Sequence, residues 1–416
     1  MKRMSRRFVL ALALLAATAA CRVPAQQAAT AAQPILILVS IDGFRWDYLD
    51  RYRPANLLKL ANAGVRAEGL IPQFPSKTFP NHYTIVTGLT LAHHGIVSNN
   101  MKAPDIPGEF TLSNREVQSD PRWWGGEPIW NTAERQGLKS AAMFWPGSEF
   151  LIGGRRGTYW TPYEDGMPHQ ERLNRILGWL QLPEGERPSF LTLYFSDVDN
   201  SGHRYGPEAE ETRAAIAKVD QSMGELVAGV ERLGLTDRVN YVIVSDHGMS
   251  AVSTERTIVL DDYIDVSKVD VIDWSPMLGI NALDGDNEKL YLALKDKHPS
   301  LTVYRRSEIP ARYGLANHPR VPAVFGVARD GWQIASKVDV GRWQQHDRRP
   351  PGGAHGYEIT DQSMQGLFIA TGPRLKAGIS VKPFDNLHIY ELMCEILRLQ
   401  PAKNDGDPAA TRDMLR

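Results

Sequence analysis

"PILILVSIDGF", residues 34–44, is an apolar, β-branched run that stops at an Asp-Gly pair. It reads as a strand buried on both faces, with Asp42 at its carboxyl end. Two further stretches repeat the pattern, "SFLTLYFSDVDNSGH" at 189–203 and "RVNYVIVSDHGMS" at 238–250, each closing in acidic and histidine residues. Helix-like stretches lie around them, at about 54–64, 80–90, 128–137, 168–181 and 207–233. Strands alternating with helices predict an α/β fold whose central, mostly parallel sheet is covered by helices on both faces. In such sheets ligands collect outside the carboxyl ends of the strands, which is where the polar residues fall.

Residues 261–345 read differently, as short strands such as "KLYLALK" and "VFGVARDGWQIA" separated by turns. They predict a small α+β insertion between two parts of one catalytic core, 34–260 and 346–400. The core resumes at "MQGLFIATGP" (364–373) and closes with a helix at about 386–398, while 401–416 reads as a frayed polar tail.

The chain of 416 residues is long enough to bury a sizeable core. Its net charge of -1, with no basic block, argues against a surface for nucleic acid. "MKRMSRRFVLALALLAATAAC" has a basic start, an apolar run and a small-residue end, which predicts a signal peptide over 1–25 and a periplasmic or secreted protein. The run is too short for a membrane span. "TAAC" loosely resembles a lipobox, which leaves lipidation at Cys21 open, but Thr18 stands where a lipobox carries Leu and favours ordinary cleavage. Cys394 and Cys21 make no disulfide framework, and no protein partner is implied.

Four separated segments offer metal ligands just after a strand or in a loop: Asp42; Asp199 with His203; Asp246 with His247; and His355. Asp199 and His203 are four apart, so one helical turn points both the same way. A strand-end Asp alone is often a helix cap. Three Asp and three His without Cys suit one or two Zn²⁺ ions, or Mn²⁺, better than the all-oxygen sites of Mg²⁺ or Ca²⁺. Thr78 stands in "FPSKTFPNHYTIVTG" (74–88), on a loop opening into a helix, where free N–H groups suit an anion. A Thr hydroxyl is a poor nucleophile until a base or metal lowers its pKa, so Thr78 makes chemical sense as an attacking group only beside the metals. Otherwise Thr78 or Ser76 merely caps the helix.

These segments, with Asn99 in "HHGIVSNN", resemble the nucleotide pyrophosphatase/phosphodiesterase family of the alkaline phosphatase superfamily. Six motifs in the expected order, over about 34–400, carry the resemblance. It implies an alkaline phosphatase-like core and two Zn²⁺ per chain, one held by Asp42, Thr78, Asp246 and His247 and the other by Asp199, His203 and His355. It implies Thr78 as the nucleophile, forming a covalent phosphothreonine, and Asn99 as the group that, with the Thr78 N–H, binds a nonbridging phosphate oxygen. It also implies that Phe79, Tyr194 and Tyr163 line a pocket for a nucleobase or other leaving-side group. His82, His93 and His94 are read as hydrogen-bonders rather than ligands.

A sulfatase would need a modified Cys or Ser in its own short motif, and a phosphomonoesterase an Arg to meet the dianion, whereas no Arg adjoins Thr78. The expected substrate is a small nucleotide or other phosphodiester. The alternatives are a choline or lysophospholipid phosphodiesterase of the same family and, remotely, an exported binding protein stabilised by its metals.

Overall fold

Every residue of the strand Ile35–Ile41 is buried, and its side chains divide with a period of two. Ile35, Ile37, Val39 and Ile41 enter one apolar cluster, Leu36 and Leu38 another. This strand, β1, lies at the centre of an eight-stranded sheet. The others are β2 (Val65–Ala67), β3 (Ser140–Met143), β4 (Tyr159–Thr161), β5 (Phe190–Phe195), β6 (Val239–Val244), β7 (Phe368–Thr371) and β8 (Ile379–Val381). They lie in the order β8-β2-β7-β6-β1-β5-β3-β4. β5 and β6 both run parallel to β1, while β7 runs antiparallel to β6 and β2. The fold is therefore α/β with a mostly parallel sheet, as the alternation of strands and helices predicts.

The computed structural model describes residues 32–315, 317–346 and 349–416; the signal-peptide reading of 1–25 and Cys21 lie outside the described residues. Helices α1 (Ala55–Ala63), α2 (Thr78–Thr87), α3 (Ile129–Arg135), α4 (His169–Leu180), α5 (Asp197–Tyr205), α6 (Glu210–Arg232) and α7 (Ile389–Leu397) surround the sheet. Apolar residues of α1, α4 and α6 join the face of Ile37 and Val39, and those of α2, α3 and α7 join the face of Leu36 and Leu38. In α6, Ile216, Val219, Met223, Leu226 and Val230 recur at helical spacing, which gives one stripe to bury. Each such side chain contributes roughly 2 kcal/mol.

Residues 269–328 form a second sheet, antiparallel, in the spatial order Val269–Asp273, Met277–Ala282, Val324–Ala328, Leu301–Arg305. Its apolar residues, Leu278, Ile280, Val303 and Val324 among them, cluster with Leu294. Among the described residues no helix is long and apolar enough to cross a membrane.

Three expectations fail. "KLYLALK" (289–295), expected as a strand, lies almost wholly in the helix Asn287–Leu294, where Leu290, Tyr291 and Leu294 recur at helical spacing and are buried. Residues 401–416 are not frayed: the Asp405 N–H donates to Gly88 O at 2.7 Å, Leu415 bridges Leu375, and Met414 is buried. Two apolar anchors at the end of a polar stretch hold it down. The helix expected from residue 80 starts at Thr78, with Pro80 inside its first turn. Proline costs no hydrogen bond there, because the first N–H groups of a helix have no intrahelical acceptor.

Candidate active site

The carboxyl ends of three adjacent strands build the floor of the site. Asp42 follows β1, Asp246 and His247 follow β6, and α5, which follows β5, carries Asp199 and His203. Gly43 turns the chain after Asp42 at φ 68°, and a Cβ there would lie 2.8 Å from the Asp199 backbone, so glycine allows the close approach of α5. His355 follows the two-residue strand Gly353–Ala354, which pairs with Ser250–Ala251 just beyond His247.

The six side chains gather as two groups of possible metal ligands, Asp42 with Asp246 and His247, and Asp199 with His203 and His355. Within each group one ligand atom per residue lies within 4.8 Å of the others. The groups adjoin, with the His247 and His355 rings stacked at 3.5 Å between centroids. Each histidine has Nδ1 against a backbone carbonyl: His203 on Gly353 at 3.0 Å, His247 on Gly248 at 2.9 Å and His355 on Ser76 at 2.8 Å. Nδ1–H therefore donates to the carbonyl and Nε2 keeps its lone pair for the site. Asp42 Oδ1, Asp199 Oδ1 and Asp246 Oδ2 are buried and make no hydrogen bond. Three buried carboxylate oxygens that accept no hydrogen bond, facing three imidazole lone pairs, are a donor set that fits two ions of the zinc type.

The electrostatics agree. Burial, helped by the negative charges of Asp246 and Asp199, pushes the Asp42 carboxyl well above the usual range. Burial pushes Asp246 up as well, but its contacts with the His247 and His82 imidazoles outweigh it and hold Asp246 well below that range. Burial pushes His355 well down, and His247 and His203 add to it. So many acceptors in so little water call for positive charge.

Thr78 is the first residue of α2, and its Oγ1 lies 3.3 Å from His247 Nε2. Neither Thr78 nor Ser76 caps the helix: Ser76 Oγ donates to Tyr357 O and accepts from Gly356 N. Asn81 holds the loop instead, its Nδ2 donating to the carbonyls of Gln73, Pro75 and Lys77. Asn99 reaches the same helix start from another loop, where its Oδ1 accepts from Phe79 N at 2.9 Å. That bond fixes the amide orientation and leaves Nδ2 as the donor.

Phe79, Tyr194 and Tyr163 all line one cleft of about 450 Å³, which Asp42, Thr78 and Asp199 also line. Phe79 meets Phe110 edge-on at 5.9 Å, and Tyr163 is exposed with its hydroxyl donating to Asp165. Tyr194 also does something the residue pattern did not indicate, since its hydroxyl donates to Asp42 Oδ2 at 2.6 Å.

His82 belongs to neither ligand group and is a hydrogen-bonder, as read from the sequence: its Nδ1 donates to Thr78 O at 2.9 Å and its Nε2 meets Ser40 Oγ at 2.8 Å. Which atoms it bonds was not legible, because its place four residues after Thr78 shows only once the helix begins at Thr78. Trp145, Phe150 and Glu149, on loops that carry no periodic signal, and Arg115, on the one-turn helix Arg115–Gln118, complete the cleft walls and escaped the sequence reading. Arg115 lines the same cleft as Thr78, but it pairs with Glu149 and donates to Tyr163 O. His93 pairs with Asp405, and His94 bonds Thr84, both away from the ligand groups.

Residues 36–358 match the family of Type I phosphodiesterase / nucleotide pyrophosphatase. An uncharacterized pyrophosphatase/phosphodiesterase of Schizosaccharomyces pombe is 40% identical over 385 residues, 90% of this chain and 79% of its own length. A venom phosphodiesterase of Macrovipera lebetinus is 36% identical over 92% of this chain and 45% of its own. Human ectonucleotide pyrophosphatase/phosphodiesterase family member 1 is also 36% identical, over 92% of this chain and 42% of its own, so this chain spans less than half of these two relatives. A solved structure of murine ectonucleotide pyrophosphatase/phosphodiesterase 5, an inactive threonine-to-alanine variant in complex with AMP, superimposes with a TM-score of 0.87 at 33% identity. It covers 92% of this chain and 100% of that one. Fold, matched length and sequence identity agree, and the chain belongs to the type I phosphodiesterase and nucleotide pyrophosphatase family, in the alkaline phosphatase superfamily.

Proposed function

We propose that the protein is an exported, periplasmic or secreted, two-zinc phosphodiesterase that cleaves phosphodiester or pyrophosphate bonds of nucleotides by way of a phosphothreonine at Thr78. The carrying observation is that the Thr78 hydroxyl, at 3.3 Å from His247 Nε2, sits beside six converging ligand side chains at the floor of an aromatic-walled cleft. In this reading Asp42, Asp246 and His247, with Thr78, hold one zinc, and Asp199, His203 and His355 hold the other. Zinc bound there would supply Lewis-acid stabilisation to the attacking and leaving oxygens of an in-line displacement. Thr78 Oγ1 forms a bond to phosphorus while the bond to the leaving alcohol or phosphate breaks. The Asn99 amide and the Thr78 N–H, free at the helix start, donate to a nonbridging oxygen as charge builds on it. Water then displaces Thr78 from phosphorus and frees the product. Phe79, Tyr194 and Tyr163 hold the base. The inactivity of the threonine-to-alanine neighbour and its bound AMP favour both parts of this reading. We also read 34–260 and 346–400 as two parts of one core around an insertion at 261–345. Export rests on the basic and apolar opening of the chain.

The charge balance selects diesters. A monoester brings about two negative charges and a diester one, so a monoesterase needs extra positive charge at the third phosphate oxygen. Asn99 is neutral, Arg115 is paired with Glu149, and Lys77 is paired with Asp273. A nucleoside monophosphate aryl ester should therefore exceed an aryl phosphate monoester in kcat/KM by at least about a hundredfold, roughly 2.7 kcal/mol. Steady-state kinetics on the zinc-loaded enzyme measures this ratio. A preference for the monoester would end the reading, faster choline phosphodiesters would move it to the choline or lysophospholipid branch, and absence of turnover would favour a binding protein.

A further inference from the structure

The second sheet sends one carboxylate into the core. Asp273 ends the strand Val269–Asp273, and its Oδ1 lies 2.6 Å from Lys77 Nζ, with both residues 5% exposed. Its other oxygen, Oδ2, accepts from the buried Ser98 Oγ. Lys77 directly precedes Thr78, and Ser98 directly precedes Asn99. One carboxylate thus holds the neighbours of both groups that act on the phosphate. The Lys77 stem also lies against the loop of His355, where a Cβ on Gly356 would come 3.2 Å from Lys77 Cε. A buried ion pair is weak evidence for stability, because the cost of desolvating two charges offsets much of their attraction. Its placement points to a role in geometry.

We infer that Asp273 is a positioning residue that sets the spacing and orientation of the Thr78 hydroxyl relative to the Asn99 amide. This rests on the reading of Thr78 as nucleophile and Asn99 as phosphate donor. Removing Asp273 frees the two loops from each other, and a misplacement of about 1 Å at an attacking group costs about a hundredfold in rate. A carboxylate that only anchored the second sheet would leave turnover by each folded, metal-loaded molecule unchanged.

The test compares full-length Asp273→Asn, Ser98→Ala and Thr78→Ala with the wild type on a thymidine monophosphate p-nitrophenyl ester and on bis(p-nitrophenyl) phosphate. Thermal midpoint and metal content are recorded for each preparation. Asp273→Asn should lose about thirtyfold or more in kcat on both diesters, with KM held within about threefold, since it touches neither base nor phosphate. Ser98→Ala, which keeps the ion pair, should lose about fivefold in kcat at unchanged KM and thermal midpoint. A folded Asp273→Asn with wild-type kcat beside an inactive Thr78→Ala overturns the positioning role and leaves the nucleophile reading standing. A loss confined to KM or to the thermal midpoint overturns it equally. Activity retained by Thr78→Ala sinks the nucleophile reading and the inference with it. Should Asp273→Asn fail to fold, Ser98→Ala decides, and a kcat within about twofold of wild type overturns the inference.

Discussion

The two ligand groups use the same donor types but are built differently. Asp42, Asp246 and His247 are all buried, whereas Asp199 and His203 are partly exposed and only His355 is buried in the second group. The buried group grows from two strand ends and is braced on several sides. Asp246 Oδ1 accepts from Gly43 N, Asp42 Oδ2 accepts from Tyr194, and His82 Nδ1 lies 3.3 Å from Asp246 Oδ2. The open group hangs on a nine-residue helix and a loop, with the His203 side chain 41% exposed. Rigid bracing belongs where a nucleophile must be aimed, and openness belongs where water and a leaving group must pass. Thr78 stands on the braced side.

The largest effect should come from the braced side. Thr78→Ala should lower kcat on a diester by about a thousandfold or more, roughly 4 kcal/mol, while fold and metal content stay close to wild type. Circular dichroism and elemental analysis check the second half of that statement. A variant keeping a tenth of wild-type kcat would break the assignment, because only positioning and electrostatic terms would then have been at stake.

Metal removal tests the contrast itself. Active protein should carry two zinc equivalents per chain, and graded chelation should strip them in two steps, the open group first. Loss of the first equivalent should reduce activity about a hundredfold, and loss of the second should lower the thermal midpoint more, since an ion held by buried ligands stabilises only the folded chain. One equivalent at full activity would refute the two-zinc reading. Simultaneous release would mean that burial does not distinguish the groups.

Legibility divides along the same line. Asp42, Asp246 and His247 could be read from residue order because each sits at the end of an apolar run, so strand periodicity and chemistry point to one place. The pair Asp199 and His203 was legible from a four-residue spacing, which α5 realises at 3.5 Å. His355 stands on a loop without period and was legible only as a metal-binding residue type, whereas Asn99, on another such loop, came forward only through the family resemblance. Three contacts escaped for physical reasons: the bond of His82 to Thr78 O, because the helix start was placed two residues late; the Tyr194 hydroxyl bond to Asp42, because an aromatic was expected to stack; and the Lys77–Asp273 pair, because its partners lie 196 residues apart in sequence. The docked tail was misread because a polar composition conceals two apolar anchors, Met414 and Leu415.

Tyr194 and Phe79 sharpen the comparison, since both line the cleft and only one touches the braced group. Tyr194→Phe removes a hydrogen bond of 2.6 Å to Asp42 and should cost about tenfold in kcat, close to the value of one bond to a charged group. The loss should be equal on diesters with and without a base, because the phenyl ring remains. A loss seen only with the nucleotide ester would show that the hydroxyl reads the base.

Phe79→Ala should give the smallest effect and the opposite pattern. The ring packs on Phe110 and Trp124, both in the apolar cluster of α2, and lines the cleft on its other side. Its ring contacts are with Phe110 and Trp124 rather than with the histidines of the ligand groups, so truncation should remove stacking area without disturbing Asp42 or His247. Losing one base–aromatic contact costs about 1 kcal/mol or somewhat more, about fivefold to tenfold in kcat/KM on a nucleotide ester. On bis(p-nitrophenyl) phosphate, which carries no base, the same variant should stay within about twofold of wild type. The Phe79 backbone N–H still donates to Asn99, so the phosphate end of the site is preserved whatever the side chain. Equal losses on both substrates would mean that Phe79 holds the Thr78 loop rather than the base, and the cleft wall would then have to be counted with the braced side of the site.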